Sequence, residues 1–228
     1  MIFKIFMKLL VSFMPFKNFM SSTELNNLFS DLYKHKFNQI TKIPFSDGGE
    51  GLSEIFLNSH SVIHTIKIKD CFNRSNKTQV LINKKEKFGL IEIYKTMGQI
   101  RKNDFDPLKR SSYGVGQCIS YLLRLNINKI FIGTGGSINT DCGIGMAHAL
   151  GVKFYDTKDN ILNKKNIFFH SKYINKIHKI NFQNFKKKFK KVKFFIISDS
   201  SVKLCGRNGQ VNIFSKQKKI NHHDQFFL

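Results

Sequence analysis

Residues 129–145 read KIFIGTGGSINTDCGIG, a short apolar run that is followed directly by a glycine-rich stretch. Five of the fifteen glycines in this 228-residue chain lie between positions 133 and 145. The apolar run predicts a buried strand, so the glycines begin a loop at its carboxyl end. In open α/β sheets ligands bind at that edge, and bare glycine backbone can approach an anion closely. A tight strand-to-helix turn that binds nothing remains the alternative interpretation.

Two further acidic loops follow predicted strands in the same way. Residues 46–51 read SDGGEG, and residues 198–200 read SDS after the apolar run KFFII. Asp47, Glu50 and Asp199 are suited to binding a metal or accepting a proton. Alternatively, the aspartates cap helices and Glu50 complements a helix dipole. Asp141 in the glycine-rich loop suits a magnesium ion that bridges phosphates.

Glu92 raises a separate question, because it lies within the apolar segment GLIEIY (89–94). Burying an unpaired carboxylate is costly, so this residue needs either a partner or a function. A paired, structural glutamate is the more frequent case.

The order of predicted elements indicates an α/β protein with a largely parallel sheet. We predict strands over 8–13, 62–68, 78–82, 89–94, 129–132, 152–154 and 193–197, with 62–68 and 78–82 paired as a hairpin. Ser21 and Glu24 have the spacing of a capping box, and an apolar helix face follows at Leu25, Leu28, Phe29, Leu32 and Tyr33. Further helices are predicted over 52–57, 115–125 and 146–150. Residues 163–193 are predicted to form a solvated, weakly specified connection.

The charge balance is strongly basic, at a formal +23, which in general favours nucleic acid or an anionic membrane as a partner. However, only five of the 38 basic residues are arginine, and the lysines are spread along the chain among Asn, Ile and Phe. This mixture favours a compositional drift, so nucleic acid is not the expected partner. The N-terminal segment lacks a cleavage site and is interrupted by Lys8, which argues against a signal peptide or membrane span. The four scattered cysteines indicate reduced thiols and a cytoplasmic location.

Five motifs occur in the same order in the bacterial type-1 glycerate kinase family. PFSDGGEG (44–51) resembles that family's P-x-A-D-G-G-E-G, and LIEIYKTMG (90–98) resembles I-E-M-A-x-A-S-G. DPLKRSSYGVGQ (106–117) resembles N-P-L-x-T-S-Y-G-T-G-E, and 132–146 resembles I-G-G-S-A-T-N-D-G-G-A-G-M. Residues 198–218 resemble the segment that runs from C-D-V-x-N-P-L to F-G-P-Q-K. The sequence therefore resembles this family over nearly its whole length from Met7.

The resemblance implies an enzyme that transfers the γ-phosphate of ATP to a glycerate hydroxyl, giving 2-phosphoglycerate, with ATP and Mg²⁺ as cofactors. It also implies two α/β domains with the substrate cleft between them. Residues 7–60 would be the N-terminal part of an incomplete flavodoxin-like (Rossmann-like) domain. Residues 61–228 would be a second, mixed α/β domain that carries the glycine-rich loop.

The site residues are carried over from the matching motifs. Catalytic roles are expected for Lys17, Asp47, Asp141 and Asp199, phosphate contacts for Gly133, Gly135, Gly136 and Ser137, glycerate contacts for Gly48, Gly49 and Glu50, and Mg²⁺ binding for Asp141 and Asp199.

The sequence also departs from the family pattern. Met14 replaces an acidic residue near the N-terminus, and a later glycine-rich segment and a G-E-G-R-x-D-x-Q-T motif are missing. A sheet without these segments would leave an open edge and an uncovered apolar face. We therefore expect the isolated chain to be poorly stable, prone to aggregation or inactive, unless an oligomer or a second polypeptide completes it. A degenerate, inactive fragment and a basic polyanion-binding protein are the alternative functions.

Overall fold

The computed structural model describes residues 7–16, 19–99, 106–162 and 168–220, apart from the side chains of residues 186 and 217. The strands are β1 Lys8–Val11, β2 Gln39–Lys42, β3 Ser61–Lys69, β4 Ser75–Asn83, β5 Phe88–Glu92, β6 Lys129–Gly133, β7 Lys153–Tyr155, β8 Lys179–Asn181 and β9 Lys193–Ile197. The helices are α1 Ser22–Tyr33, α2 Leu52–Phe56, α3 Ile93–Thr96, α4 Tyr113–Arg124, α5 Ile144–Ala149, α6 Gln183–Phe189 and α7 Gln210–Lys218. Short 3₁₀ turns cover Pro107–Lys109 and Ser171–Lys176. The predicted α/β class is confirmed.

A five-stranded sheet in the order β3-β4-β5-β6-β9 forms the centre of the fold. The β3–β4 and β4–β5 pairs are antiparallel, whereas β5–β6 and β6–β9 are parallel. The predicted hairpin of β3 with β4 is confirmed, but the prediction of a largely parallel sheet was wrong. The turns between β3, β4 and β5 are too short for the crossover that parallel neighbours need.

One face of this sheet packs on α4, which begins at Tyr113. Val115, Cys118, Ile119 and Leu122 of the helix are almost fully buried against Ile130 and other apolar residues of the strands. The spacing of Ile119, Leu122 and Leu123 predicts a buried stripe on this helix; Ile119 and Leu122 are buried, whereas Leu123 is only partly buried. The resulting core fixes the strands whose carboxyl ends carry the loops of interest.

Three of those carboxyl ends lie side by side. In the parallel registers Glu92 of β5 is opposite Gly133 of β6, and Gly133 is opposite Ile197 of β9. The segments that follow these three residues therefore leave the sheet at the same edge. This is the edge at which open α/β sheets bind ligands.

The N-terminal part forms a separate, two-stranded parallel sheet of β1 and β2, with α1 as the connection. The predicted capping box is confirmed, because the Ser21 hydroxyl accepts a hydrogen bond from the Glu24 N–H (3.2 Å) and the Glu24 carboxylate accepts one from the Ser21 N–H (2.8 Å). This sheet lies within the predicted domain 7–60 and the remaining strands lie within 61–228. The domain division itself stays a prediction.

The apolar face predicted for α1 is largely exposed. Leu28 and Leu32 are 47% and 59% exposed, whereas the buried residues of this helix are Ser22 and Asn26. The Asn26 side chain bonds the backbone of both neighbouring segments, donating to the Ile43 carbonyl and accepting from the Phe13 N–H. Polar anchoring thus orients the helix and leaves its apolar stripe outward.

Several local predictions need correction. Residues 168–193 contain a 3₁₀ turn and β8, where a weakly specified connection was predicted, and α6 lies where the sequence FQNFKKKFKK (182–191) favours one or two amphipathic helical turns. Residues 163–167 lie outside the described residues. The strand predicted over 89–94 ends at Glu92, and α3 begins at the next residue. Helix α7 was not predicted, because its lysine-rich sequence has little apolar periodicity. Among the described residues no helix is long and apolar enough to span a membrane.

Strand β9 presents exposed apolar side chains at the edge of the five-stranded sheet. Phe195 and Ile196 are 40% and 62% exposed, and β9 pairs only with β6 among the described strands. Unpaired edges with apolar side chains favour self-association.

We therefore expect Ile196→Lys to reduce concentration-dependent self-association of the purified chain, because a charge on an edge strand opposes edge-to-edge pairing. Light scattering over a concentration series measures the effect. Ile213→Lys, which adds the same charge at an exposed isoleucine of α7 away from the sheet edge, is the matched control and should self-associate like the unaltered chain. If Ile196→Lys associates at the same concentrations as the unaltered chain, β9 is not the responsible surface.

Candidate active site

The loops that follow β2, β6 and β9 are joined to one another by backbone hydrogen bonds. The Gly135 N–H donates to the Gly48 carbonyl (3.1 Å), and the Thr134 N–H donates to the Ile197 carbonyl (3.0 Å). The first bond joins the loop after β2 to the loop after β6, and the second joins the loop after β6 to the end of β9. The loops therefore form one continuous structure.

Glycine is required where these backbones cross. A Cβ atom added at Gly133 would overlap the Gly48 carbonyl oxygen and lie 2.5 Å from the Leu52 Cδ2. A Cβ atom added at Gly135 would lie 2.6 Å from the backbone of Gly49. Heavy atoms do not approach this closely without displacement, so the absence of side chains lets the loops meet.

A cavity of about 620 Å³ opens where the loops converge. It is lined by Asp47, by Thr134, Gly135, Gly136 and Ser137, by residues 198–202, and by Ile93, Gln210, Phe214 and Lys218. Its volume is within the usual 300–1,000 Å³ range of small-molecule sites. The structure thus brings Asp47, Gly136 and Asp199 to one cavity, which we call the large cavity.

Neither Asp47 nor Asp199 caps a helix. The N-cap of α2 is Gly51, and that of α7 is Gly209. The Asp47 carboxylate instead accepts a hydrogen bond from the Gly49 N–H (2.9 Å), which fixes the turn and leaves its second oxygen for other contacts. The capping interpretation of both residues is therefore wrong.

Asp141 lies below the surface and is 1% exposed. Its Oδ2 accepts hydrogen bonds from the Ser112 N–H (2.7 Å), the Ser112 hydroxyl (2.8 Å) and the Gly145 N–H (3.0 Å), and its Oδ1 accepts one from the Gly143 N–H (3.3 Å). Burial raises the pKa of this carboxyl, while the same hydrogen bonds oppose the rise. Asp141 thus joins the glycine-rich loop to the start of α4.

The start of α5 does not offer its amides to an external anion in this structure. The Gly143 and Gly145 N–H groups bond Asp141, and the Met146 N–H donates to the Ser112 hydroxyl (2.8 Å). Any anion held by this loop must therefore be bound before the helix, where Gly135, Gly136 and Ser137 line the large cavity.

Known proteins match this chain in both sequence and fold. The sequence model described as "Glycerate kinase family" matches residues 9–225. The chain belongs to the glycerate kinase family. Glycerate kinase from Haemophilus influenzae is 27% identical over 217 residues, covering 93% of this chain and 56% of that protein. Glycerate kinase from Neisseria meningitidis is 28% identical over 185 residues, covering 78% of this chain and 47% of that protein. Glycerate 2-kinase from Escherichia coli is 26% identical over 217 residues, with coverages of 93% and 56%.

A solved structure also matches the fold. The crystal structure of a protein provisionally assigned as glycerate kinase 2 from Salmonella typhimurium LT2 superimposes with a TM-score of 0.78. The match covers 97% of this chain and 59% of that one, at 23% sequence identity. The chain spans about half the length of the curated glycerate kinases it matches.

The residues carried over from the glycerate kinase motifs fall into four groups, one of which is Asp141 alone, buried and outside the lining of the large cavity. Asp47, Gly135, Gly136, Ser137 and Asp199 line the large cavity. Gly133, Gly48 and Gly49 pack where the loops cross, and Glu50 lies close enough to Tyr94 to contribute, after burial and Glu92, to raising the pKa of its hydroxyl. Lys17 lies outside the described residues. The roles assigned to all of these residues stay predictions.

Glu92 has partners in the structure. Its Oε2 lies 2.5 Å from the Lys95 Nζ, and its Oε1 accepts a hydrogen bond from the Ser53 N–H (3.2 Å). The side chain is 2% exposed. The paired, structural interpretation of this glutamate is therefore confirmed, and it connects β5 to α2 behind the loops.

Lys218 was not predicted as a site residue. It lies at the end of α7 and lines the large cavity, and its Nζ donates a hydrogen bond to the Asn139 carbonyl (2.7 Å). Burial lowers the pKa of this ammonium, and the nearby Arg110 guanidinium lowers it further, while Asp141 opposes both. The signal that could have indicated it is its place in the sequence, since Lys218 falls on the last position of the family's F-G-P-Q-K, but only the fold brings it to the cavity.

The donor set of the large cavity fits Mg²⁺ with phosphate. Among the described residues no cluster of three or more His, Cys, Asp or Glu side chains is arranged to hold a metal. Mg²⁺ does not require one, since it is usually bound by one or two carboxylates, substrate phosphates and water. Asp47 and Asp199 supply two carboxylates at the same cavity, beside the hydroxyls of Ser198, Ser200 and Ser201.

The burial of Asp141 leads to a test of its structural role. Asp141→Ala should lower the free energy of unfolding by roughly 2–4 kcal/mol, because it leaves buried hydrogen-bond donors without an acceptor. Asp141→Asn should cost less, about 1–2 kcal/mol, since the amide oxygen can take over the three bonds of Oδ2, while the amide NH2 group then faces the Gly143 N–H, which loses its acceptor. Urea unfolding followed by circular dichroism measures both. Equal losses in the two variants would contradict this role.

Proposed function

We propose that the chain carries the phosphate-binding part of a glycerate kinase, which transfers the γ-phosphate of ATP to a hydroxyl of glycerate. The single observation that supports this most strongly is the convergence of Asp47, Gly135–Ser137 and Asp199 on one cavity at the carboxyl ends of the strands. The family membership indicates the substrate class, and the name of the Escherichia coli relative favours 2-phosphoglycerate as the product. We place the reaction in the cytoplasm.

In this proposal the loop after β6 binds the phosphates. Gly136 has a left-handed backbone (φ 69°), and a Cβ atom added there would lie 3.0 Å from the Cβ of Tyr94. Its bare backbone therefore lines the cavity in a conformation that favours glycine and lets a phosphate approach closely. The Ser137 hydroxyl and the Lys218 ammonium add a hydrogen-bond donor and a positive charge at the same wall.

Asp47 and Asp199 are proposed to hold Mg²⁺, which would neutralise phosphate charge when bound with ATP. The role of the protein is to fix the two carboxylates in position, since phosphoryl transfer depends mainly on alignment and charge stabilisation. The hydrogen bond from Gly49 to Asp47 and the tie between Thr134 and Ile197 provide that rigidity. The assignment of Asp141 to Mg²⁺ or to orienting the acceptor hydroxyl also stays a prediction. If Asp141→Asn keeps its stability but loses Mg²⁺-dependent turnover, that assignment is supported.

The test is an assay of ADP release by the purified chain. Release should require D-glycerate and Mg²⁺ together, and phosphoglycerate should form in equal amount. Because the chain spans about half the length of its relatives, the same assay should be repeated with the remaining half of a relative supplied as a second polypeptide. Absence of turnover in both assays, with no binding of nucleotide, would contradict the proposal. Nucleotide binding without turnover would favour the degenerate form of the enzyme.

A further inference from the structure

A second, smaller cavity lies next to the large cavity and shares a wall with it. Its volume is about 210 Å³. Ser137, Gln210, Lys218 and Ile93 line both cavities, whereas Asn139, Thr140 and Asp141 line only the smaller one. A cavity below the usual 300 Å³ of drug-sized ligands suits a compact molecule and not a nucleotide.

The shared wall is positively charged. The Lys218 Nζ is held by the Asn139 carbonyl at 2.7 Å, which places the ammonium between the two cavities. Arg110, which is 2% exposed, fixes the end of α7 by donating from its guanidinium to the Lys218 carbonyl (2.7 Å) and to the Ile138 carbonyl (3.3 Å). Asp141 also lines the small cavity, but its carboxylate accepts hydrogen bonds from four donors, which offset its negative charge. Lys218 is therefore the group of this wall that favours an anion.

Asn139 supplies the second recognition element. Its side-chain oxygen is buried and accepts no hydrogen bond from any described residue. An unsatisfied buried acceptor costs free energy, and a hydroxyl group of a ligand would remove that cost. The small cavity thus combines a cation for a carboxylate with an acceptor for a hydroxyl.

We propose that the small cavity is the acceptor subsite, in which Lys218 binds the carboxylate of a small hydroxy acid and Asn139 accepts a hydrogen bond from its hydroxyl. The proposal rests on the assignment of the large cavity to the nucleotide phosphates. It replaces the glycerate contacts predicted for Gly48, Gly49 and Glu50, since none of these residues lines the small cavity. Ser137, which lines both cavities, then lies at the boundary that the phosphoryl group crosses.

The contact of Lys218 with the carboxylate and that of Asn139 with the hydroxyl can be tested separately. Three ligands are titrated against the full chain in the absence of nucleotide. D-glycerate carries both groups, propionate lacks the hydroxyls, and glycerol lacks the carboxylate. Lys218→Gln should lower the affinity for D-glycerate and for propionate by roughly 10- to 100-fold, since it removes a charge-assisted bond. The affinity for glycerol should not change. Lys218→Arg should restore part of the affinity. Asn139→Ala removes the acceptor for the hydroxyl, so the affinity for D-glycerate should fall several-fold. The variant keeps the backbone carbonyl that holds Lys218, so the affinity for propionate should not change.

Lys216→Gln, an exposed lysine on the same helix, is the matched control and should bind all three ligands normally. A purely structural Lys218 would lower the melting temperature and weaken all three ligands equally, without rescue by Arg, and this result would overturn the proposal. No binding of D-glycerate by the unaltered chain would also overturn it. If binding depends on Lys218 but no ADP is released, the subsite stands and the kinase function fails. If ADP is released and Lys218→Gln leaves the KM for glycerate unchanged, the kinase function stands and the subsite fails.

Discussion

Asp199→Asn should lower glycerate-dependent ADP release by roughly 100-fold or more, because it removes one of the two carboxylates proposed to hold Mg²⁺. Asp199 is exposed and lies in a loop after β9, so its removal should not affect folding. The remaining activity should require a higher Mg²⁺ concentration, since one ligand of the ion is lost. Steady-state rates over a Mg²⁺ series measure both effects.

Asp159→Asn is the control for this substitution. Asp159 is also exposed, and it pairs with Lys179 far along the chain from the large cavity. Its variant should retain the rate and the Mg²⁺ requirement of the unaltered chain. If Asp199→Asn also retains both, Asp199 is not a ligand of the ion, and the large cavity needs another explanation.

Gly133→Ala should destabilise the chain by roughly 1–3 kcal/mol and abolish nucleotide binding, although residue 133 does not line the large cavity. The added methyl group overlaps the Gly48 carbonyl oxygen, so the loop after β2 has to move away from the loop after β6. That movement separates Asp47 from Gly136. Thermal unfolding and nucleotide titration measure the two consequences.

Gly151→Asn is the matched glycine control. A Cβ atom at Gly151 meets nothing within 4 Å, and Asn tolerates the left-handed backbone found there (φ 94°). It should therefore bind nucleotide as the unaltered chain does and lose only the small strain energy of a side chain at positive φ. Normal nucleotide binding by Gly133→Ala would show that the crossing of the loops does not position the site.

The predictable part of this site was its three loops. The loops after β6 and β9 follow apolar runs that indicate buried strands, and the parallel register of these strands brings their carboxyl ends together. The loop 46–51 follows β2 of the other sheet, so its residues could be named from the sequence but its place beside the other two could not. The local signal was also sufficient at Ser21 and Glu24, where the capping box depends only on spacing within one turn. Such features are encoded by neighbouring residues.

The remaining part depends on contacts between distant residues. Lys218 lies 79 positions from the Asn139 carbonyl that holds it, so the motif that ends at this lysine does not show which cavity its side chain lines. Asp47 has the sequence context of a helix cap, but the helix begins after Gly51, and the turn made by Gly48 and Gly49 directs the carboxylate to the cavity. The apolar face predicted for α1 is present but largely exposed, for a similar reason. Amphipathic spacing shows which face is apolar and does not show what covers it.

The most direct test of the central claim is to map the binding of Mg²⁺ with a non-hydrolysable ATP analogue by NMR on the isotope-labelled chain. We expect amide shift changes at residues 47–49, 134–137 and 198–202, which come from three separate loops. We expect none at the basic cleft of Arg124, Lys188 and Lys191, which lies with Asn128 at the opposite end of β6. Changes confined to that cleft, and removed by salt, would instead indicate a polyanion-binding protein and contradict a shared phosphate site.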